Sequence, residues 1–181
     1  MTKAIILTAI IITTISLSAC SPTSSNAGAV AYNTSVDVPL QHWTSADTLF
    51  YPIVIDEEPS FQRPLRINHD YRARLCIRYT LDCPLTQIPA NFFVQEMDTV
   101  QGQMRIKRRL QQFPIAPSVK DKEGMALGDG WGSLYEYQET LADQTLRFDK
   151  PGFYRFLIIP AFKGVPEGID GIASIGVELL E

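Results

Sequence analysis

From Val36 onward, apolar and polar residues alternate with a period of two, the spacing of a strand whose two faces meet different surroundings. Along residues 71–79, Tyr71, Ala73, Leu75, Ile77 and Tyr79 share one face, and Arg72, Arg74, Cys76 and Arg78 share the other. Met104, Ile106 and Leu110 oppose Arg105, Lys107, Arg109 and Gln111 in the same way. Tyr154, Phe156 and Ile158 alternate with Arg155, while Ile175, Val177 and Leu179 alternate with Glu178. Further strands are expected over residues 49–55, 91–97, 133–140 and 145–149. Between these runs stand turn signals: Pro59, Pro64, Pro84, Pro89, Gln101-Gly102, Pro114, Pro117 and Pro151-Gly152. No segment of ten or more residues carries a helical period, and no internal repeat is present. About eight strands without intervening helices predict an all-β domain, an antiparallel β-sandwich with jelly-roll-like connections. The longest stretch without a strand signal, Gln111 to Gly130, is long for a compact domain and is expected to be mobile or functional.

Composition narrows the functional classes more than the fold. The chain has 181 residues, 45% of them hydrophobic and 20% charged, with a formal net charge of −4. An acidic balance with no broad basic excess argues against a nucleic-acid partner. Two histidines, His42 and His69, and three cysteines restrict the available catalysis.

The N-terminus is the most specific part of the sequence. Met1–Lys3 is a short basic start, followed by 13 uncharged residues from Ala4 to Ser16. As a helix that run covers about 20 Å, against the roughly 30 Å of a bilayer core, so it reads as a signal-peptide core and not as a membrane span. Leu17-Ser18-Ala19-Cys20 resembles the lipobox of bacterial lipoproteins: an aliphatic residue, two small residues and a cysteine. That resemblance implies cleavage before Cys20 and acylation of its thiol and new amine, which makes membrane attachment effectively permanent. Residues 1–19 are then a signal peptide, 20–35 an uncharged tether rich in Ser, Thr, Asn, Ala and Gly, and 36–181 the β-sandwich domain. No acidic residue follows Cys20 directly, which under lipoprotein sorting rules favours the periplasmic face of the outer membrane.

Candidate chemistry elsewhere is sparse. Cys76 and Cys83, seven positions apart across a turn, form either a disulfide in an oxidising periplasm or two free thiols. Neither histidine has metal-ligand spacing, and Asp121, Glu123 and Asp129 match no EF-hand loop. Gly128-Asp129-Gly130-Trp131-Gly132 lacks the flanking strand and helix of a phosphate loop; a tight backbone approach, with Trp131 closing over the core, is the expected role. Nothing in the sequence forms a nucleophile–base pair, so no enzyme activity and no cofactor are expected. Arg105, Lys107, Arg108 and Arg109 place four cations within five residues, a solvated or protected edge or else a contact with lipid headgroups, lipopolysaccharide or an acidic partner. Trp43, Phe61, Tyr135 and Tyr137 are candidates for a sugar-stacking platform, which keeps glycan binding open as an alternative function.

Taken in order along the chain, several features resemble the gliding-motility lipoprotein H (GldH) family of Bacteroidota. After the lipobox and spacer come Pro39, Trp43 and Asp47, the strand Leu75-Cys76-Ile77-Arg78, and the step from Asp82 to Pro84. Gly128, Gly130 and Gly132 then lead into Leu134-Tyr135, and Phe148 and Gly152 into Tyr154-Arg155-Phe156. The C-terminus supplies Gly168-Ile169, Gly171-Ile172 and Ile175-Gly176-Val177. Cys83, where that family would carry an aromatic, and the basic 105–109 strand depart from the pattern. The resemblance implies a lipid-anchored outer-membrane protein facing the periplasm, required for gliding in motile relatives and associated with the type IX secretion machinery. It implies envelope-protein partners and carries over no catalytic residue. The candidate interaction surface is Trp131 with Arg105, Lys107 and Arg109.

Overall fold

A computed structural model describes residues 28–60, 65–162 and 167–181 of the chain. The signal peptide, Cys20, the first part of the tether, Pro64 and Phe61 lie outside the described residues. In chain order the strands are β1 (Val30–Asp37), β2 (His42–Trp43), β3 (Leu49–Ile55), β4 (Asp70–Thr80), β5 (Ala90–Val100) and β6 (Gln103–Ile115). They continue as β7 (Asp129–Trp131), β8 (Leu134–Arg147), β9 (Gly152–Pro160), β10 (Ile169–Asp170) and β11 (Ile172–Leu180), with one 3₁₀ turn at Pro39–Gln41. One sheet has the order β1-β11-β4-β8-β7, the second β3-β9-β5-β6, and β10 with β2 makes a small third pair.

Eight of these strands are long, and their distribution is that of a jelly roll. The first, eighth, third and sixth long strands neighbour one another in one layer, and the second, seventh, fourth and fifth in the other. Every pairing is antiparallel. The expected architecture is therefore present, with three short strands added to the eight.

The alternation on β4 does what its pattern requires. Tyr71, Ala73, Leu75, Ile77 and Tyr79 all point into the core, against Leu49, Tyr51, Ile53 and Ile55 of β3 and Phe92, Tyr154, Phe156 and Ile158 of the second sheet. Tyrosines inside such a core must satisfy their hydroxyls. Tyr51 donates to the Ile175 carbonyl at 2.9 Å, and Tyr154 to that of Lys150 at 2.7 Å. The Tyr79 hydroxyl lies between the carbonyls of Val119 and Leu127.

Three boundaries differ from the sequence reading. β1 begins at Val30, so the sheet takes in residues 30–35, assigned above to the tether. Its Tyr32 is half-buried and donates to the Pro52 carbonyl, which explains why an uncharged Ser/Thr/Asn-containing segment pairs as an edge strand. The expected strands 133–140 and 145–149 are one strand, β8, with a bulge that sets residues 141–144 opposite Ala73 alone. The stretch 111–130 is neither free nor strandless. β6 runs on to Ile115, and the remainder is fastened by buried Val119, whose amide donates to Thr86 at 2.8 Å, and by Leu127, whose amide donates back to Val119 at 2.9 Å.

Candidate functional site

The candidate residues fall at opposite ends of the sandwich. Val30, where the chain enters β1, pairs with Leu180, which in turn faces Arg72 near the start of β4. In the other sheet, β3 ends at Ile55 opposite Gly152, the first residue of β9. The Tyr32–Pro52 hydrogen bond and the Phe148–Tyr154 ring contact, 5.0 Å between centroids, bring these two sets of strand ends together. β5 and β6 run beyond this end. Their last contact with β9 is Met97 opposite Phe153; Asp98, Thr99 and Val100 pair only with Arg105, Met104 and Gln103. Gln101 and Gly102, at φ 53° and 76°, close the hairpin with the two left-handed residues that a tight turn matching strand twist requires.

This projecting hairpin carries the basic residues. Arg105 faces Asp98 across the ladder. Lys107 and Arg108 converge on one carboxylate, Glu96, at 2.7 and 3.0 Å. Hydrogen bonding from Lys107, reinforced by its charge and by Arg108, holds the Glu96 carboxyl below the ordinary carboxylate range against the opposing effect of burial. Arg109 donates to Gln112 at 2.8 Å and lies 5.0 Å over the Phe93 ring. Between these cations the apolar half of the alternation does not reach the core. Met104 is 51% and Ile106 54% exposed, because they pair with Thr99 and Met97 on the outer face of this sheet, the face turned away from the core. Val100 and Phe153 beside them are also exposed.

Trp131 is at the other end. It pairs with Leu134 at the start of β8, whereas β6 meets the end of β8, where Gln111 donates to the Thr145 carbonyl at 3.0 Å. Some ten strand residues, on the order of 30 Å, therefore separate Trp131 from the cations, and the structure does not join them into one surface. Nor does Trp131 close over the core. It is 80% exposed on the edge strand β7, and Tyr135 takes the inner position, 5.8 Å from Tyr79 between ring centroids. The expected tight approach is real at Gly128: with φ at 87°, a Cβ there would stand 2.0 Å from the Glu136 carbonyl oxygen. Beside Trp131 lies an open cleft of about 440 Å³ lined by Arg78, Asp129, Leu134, Tyr135 and Glu136, with Arg78 and Glu136 paired at 2.9 Å.

The remaining candidates are structural. Cys76 and Cys83 are free thiols. Cys76 lies on the outer face of β4, four residues or about 13 Å from Thr80, whereas the Cys83 amide bonds to the Thr80 carbonyl beyond the strand end. That separation exceeds what a disulfide can bridge. Burial first, with the Glu178 carboxylate adding to it, pushes the Cys76 thiol up to about 12. Trp43 is wholly buried, its indole donating to the Asp47 carbonyl at 3.1 Å, so it offers no sugar platform; Tyr135 and Tyr137 are half-buried. His42 is held between the Asp170 carboxylate at 2.6 Å and the Glu167 carbonyl at 2.7 Å, and those two bonds raise its pKa. His69 stacks edge-on against Tyr71. Asp121 spends its carboxylate on the amides of Glu123 and Met125. Among the described residues no group of three or more His, Cys, Asp or Glu is placed to hold a metal ion.

Of the residues behind the family resemblance, Trp43, Gly168 and Gly171 meet at one corner at the Trp131 end, while Phe148, Gly152 and Tyr154 stand at the tether end. At that corner β2 pairs with β10, Gly168 leaves no room for a Cβ against the Trp43 carbonyl, and Gly171 none against the Cys83 amide. A sequence model of the GldH lipoprotein family matches residues 30–179, from the first residue of β1 almost to the last of β11. The chain belongs to the GldH lipoprotein family. A search of curated proteins gives no match. GldH proteins are lipoproteins by family description, and membership implies a lipid-anchored protein of the cell envelope associated with gliding motility. Among the described residues no helix is long and apolar enough to cross a membrane.

Sequence reasoning missed the outer face of the second sheet. Phe50, Phe93, Met97, Phe153 and Leu157 all lie on it, with Arg155 5.4 Å over Phe50 and Arg109 over Phe93. The signal was in the unbroken apolar runs Phe92-Phe93-Val94 and Phe156-Leu157-Ile158-Ile159, which lack alternation because both faces of those strands are apolar.

Proposed function

We propose that the mature chain begins at Cys20, is acylated there, and is held at the periplasmic face of the outer membrane. There it serves as a non-catalytic interaction component of the gliding-motility and type IX secretion machinery. The family match over residues 30–179 carries this reading. Acyl anchoring confines the sandwich to one surface and raises its effective concentration toward other membrane-bound proteins. The Trp131 end, remote from the point where the tether joins β1, is the end offered to a partner across the periplasm. A non-enzymatic role is supported by how the reactive groups are used: His42 is occupied on both nitrogens, and the Cys76 thiol is held protonated.

Affinity purification from crosslinked envelopes tests the proposal, with Cys20→Ala as control. Envelope proteins of the secretion machinery are expected with the wild-type chain and are expected to be lost from the control. A deletion strain with unchanged secretion, motility and envelope integrity overturns the proposal. The second reading, glycan binding, is favoured by one observation: exposed Trp131 beside a cleft whose polar groups are Arg78, Asp129 and Glu136. A peptidoglycan pull-down with Trp131→Ala decides it; glycan retention abolished by that substitution would replace the first reading.

A further inference from the structure

We infer that the β5–β6 hairpin tip is a second, non-covalent membrane contact, docking on the anionic headgroups of the leaflet that carries the acyl chains. This rests on the anchoring at Cys20 proposed above. Three observations converge on it. The chain enters the described domain at Gly28, beside Glu181, the residue that follows β11, at the same end from which the hairpin projects. Gly28 is only eight positions after Cys20, so full extension holds this end within about 28 Å of the anchored cysteine. The surface thus kept near the membrane has the mixed chemistry of an interfacial contact: exposed Val100, Met104 and Ile106 interleaved with Arg105, Lys107 and Arg109.

The short reach from Cys20 to Gly28 selects lipid phosphate over an acidic protein as the occupant, and charge is consistent with it. The chain as a whole is negative, at −4, so an anionic leaflet repels it on average and attracts this hairpin specifically. Against its four cations the hairpin sets only Glu96 and Asp98. The carboxylates of residues 56–58 follow β3, which is the far edge of the sheet from β6, so tilting the β6 edge downward keeps them off the surface. The resulting posture points Trp131 away from the membrane, toward the periplasm.

The test uses the mature chain, residues 20–181, carrying Cys20→Ala so that no acyl group contributes. Vesicles of phosphatidylethanolamine with phosphatidylglycerol are compared with vesicles of phosphatidylcholine alone. The expected result is flotation with the anionic vesicles, weakened by added salt, and none with the neutral ones. Each cation near an anionic surface is worth about fivefold in partition, so Arg105→Glu with Arg109→Glu lowers it by at least about 25-fold. Met104→Ser with Ile106→Ser also lowers it, and Trp131→Ala leaves it unchanged. A Met104→Trp probe in a Trp131→Phe background is expected to be quenched by brominated lipid, whereas native Trp131 is not. Absence of binding to anionic vesicles, equal binding by the hairpin variants, or quenching of Trp131 in place of position 104 overturns the inference. Mass analysis of the N-terminal peptide tests acylation separately, so an unacylated Cys20 sinks the anchoring proposal while the vesicle result stands by itself.

Discussion

The Tyr51 hydroxyl crosses the sandwich to the Ile175 carbonyl, 2.9 Å away, and so ties β3 of one sheet to β11 of the other through the core. Tyr51→Phe removes that bond at little cost in volume, and about 1 kcal/mol of stability is expected to go with it, or roughly 2–4 °C in Tm. Burial raises the Tyr51 pKa far above its ordinary 10.0. A folded-state value raised in this way gives stabilisation that is complete below pH about 10 and is lost as pH rises further. Urea unfolding across that range is expected to show the gap between wild type and Tyr51→Phe narrowing with pH.

The Glu96 pair behaves with the opposite sign. Its pKa is lowered from 4.5, chiefly by the Lys107 hydrogen bond, so the stabilisation is present above about pH 4.5 and disappears as the pH falls below it. Glu96→Gln is expected to flatten the acid limb of a Tm-against-pH curve. The same substitution removes the carboxylate that pairs with both Lys107 and Arg108, so binding to anionic vesicles is expected to rise about fivefold. A fall in vesicle binding would show that Glu96 orders the cations instead of masking them.

How far the fold was readable depended on whether a strand meets two different environments. β4 does, with core on one side and solvent on the other, and Tyr71 to Tyr79 announced it residue by residue. β5 and β9 do not, because Phe93 and Leu157 lie on an outer face that is itself apolar, with Arg109 over Phe93, so their runs showed strands without showing a surface. Alternation on β6 was present but misleading about burial. Bulges on the β5–β6 ladder at Val94/Gln95 and Glu96/Met97 break the period, so Met104 and Ile106 take the outer face while Leu110, on their side by alternation, packs against the core. Trp131 and Tyr135 compete for the same local core position, and the chain's order alone gives no reason why the larger ring should lose.

Both described thiols are expected to be free and slow to react. With Cys76 pushed up to about 12 and Cys83 buried, a thiol reagent at about pH 8 should label neither in the folded chain and both after denaturation. Rapid labelling of either without denaturant would contradict the packing around Gly176 and Gly171 that encloses them.

Gly128 and Gly124 separate backbone conformation from backbone contact. Both have left-handed φ, 87° and 82°, so an alanine at either is strained by about 1–2 kcal/mol. At Gly124 nothing lies within 4 Å of the added carbon, and that strain is the whole cost. At Gly128 the carbon would overlap the Glu136 carbonyl, 2.0 Å away, forcing β8 to move off the strand end it packs on. Gly128→Ala is therefore expected to cost more than about 3 kcal/mol in urea unfolding, and Gly124→Ala well under that. Equal costs would mean that the 128–136 approach opens easily.

The two tryptophans make the sharpest contrast between stability and recognition. Trp43 is fully buried, edge-on to Phe162 at 5.5 Å, and Trp43→Ala leaves a cavity expected to cost about 3–5 kcal/mol. Trp131 has 80% of its surface in solvent, and Trp131→Ala should shift stability by no more than about 0.5 kcal/mol. The fluorescence of the chain should accordingly divide into a blue component insensitive to acrylamide and a red, readily quenched one that Trp131→Ala abolishes. A large aromatic left in water on a three-residue edge strand gains nothing for folding, so its effect belongs to whatever covers it. If Trp131→Ala keeps the melting temperature yet loses crosslinked partners from the envelope, the end of the sandwich remote from the tether is where binding occurs. If it lowers stability by several kcal/mol instead, Trp131 packs against the body of the protein, and the contact surface must be sought on the outer face around Phe50 and Phe153.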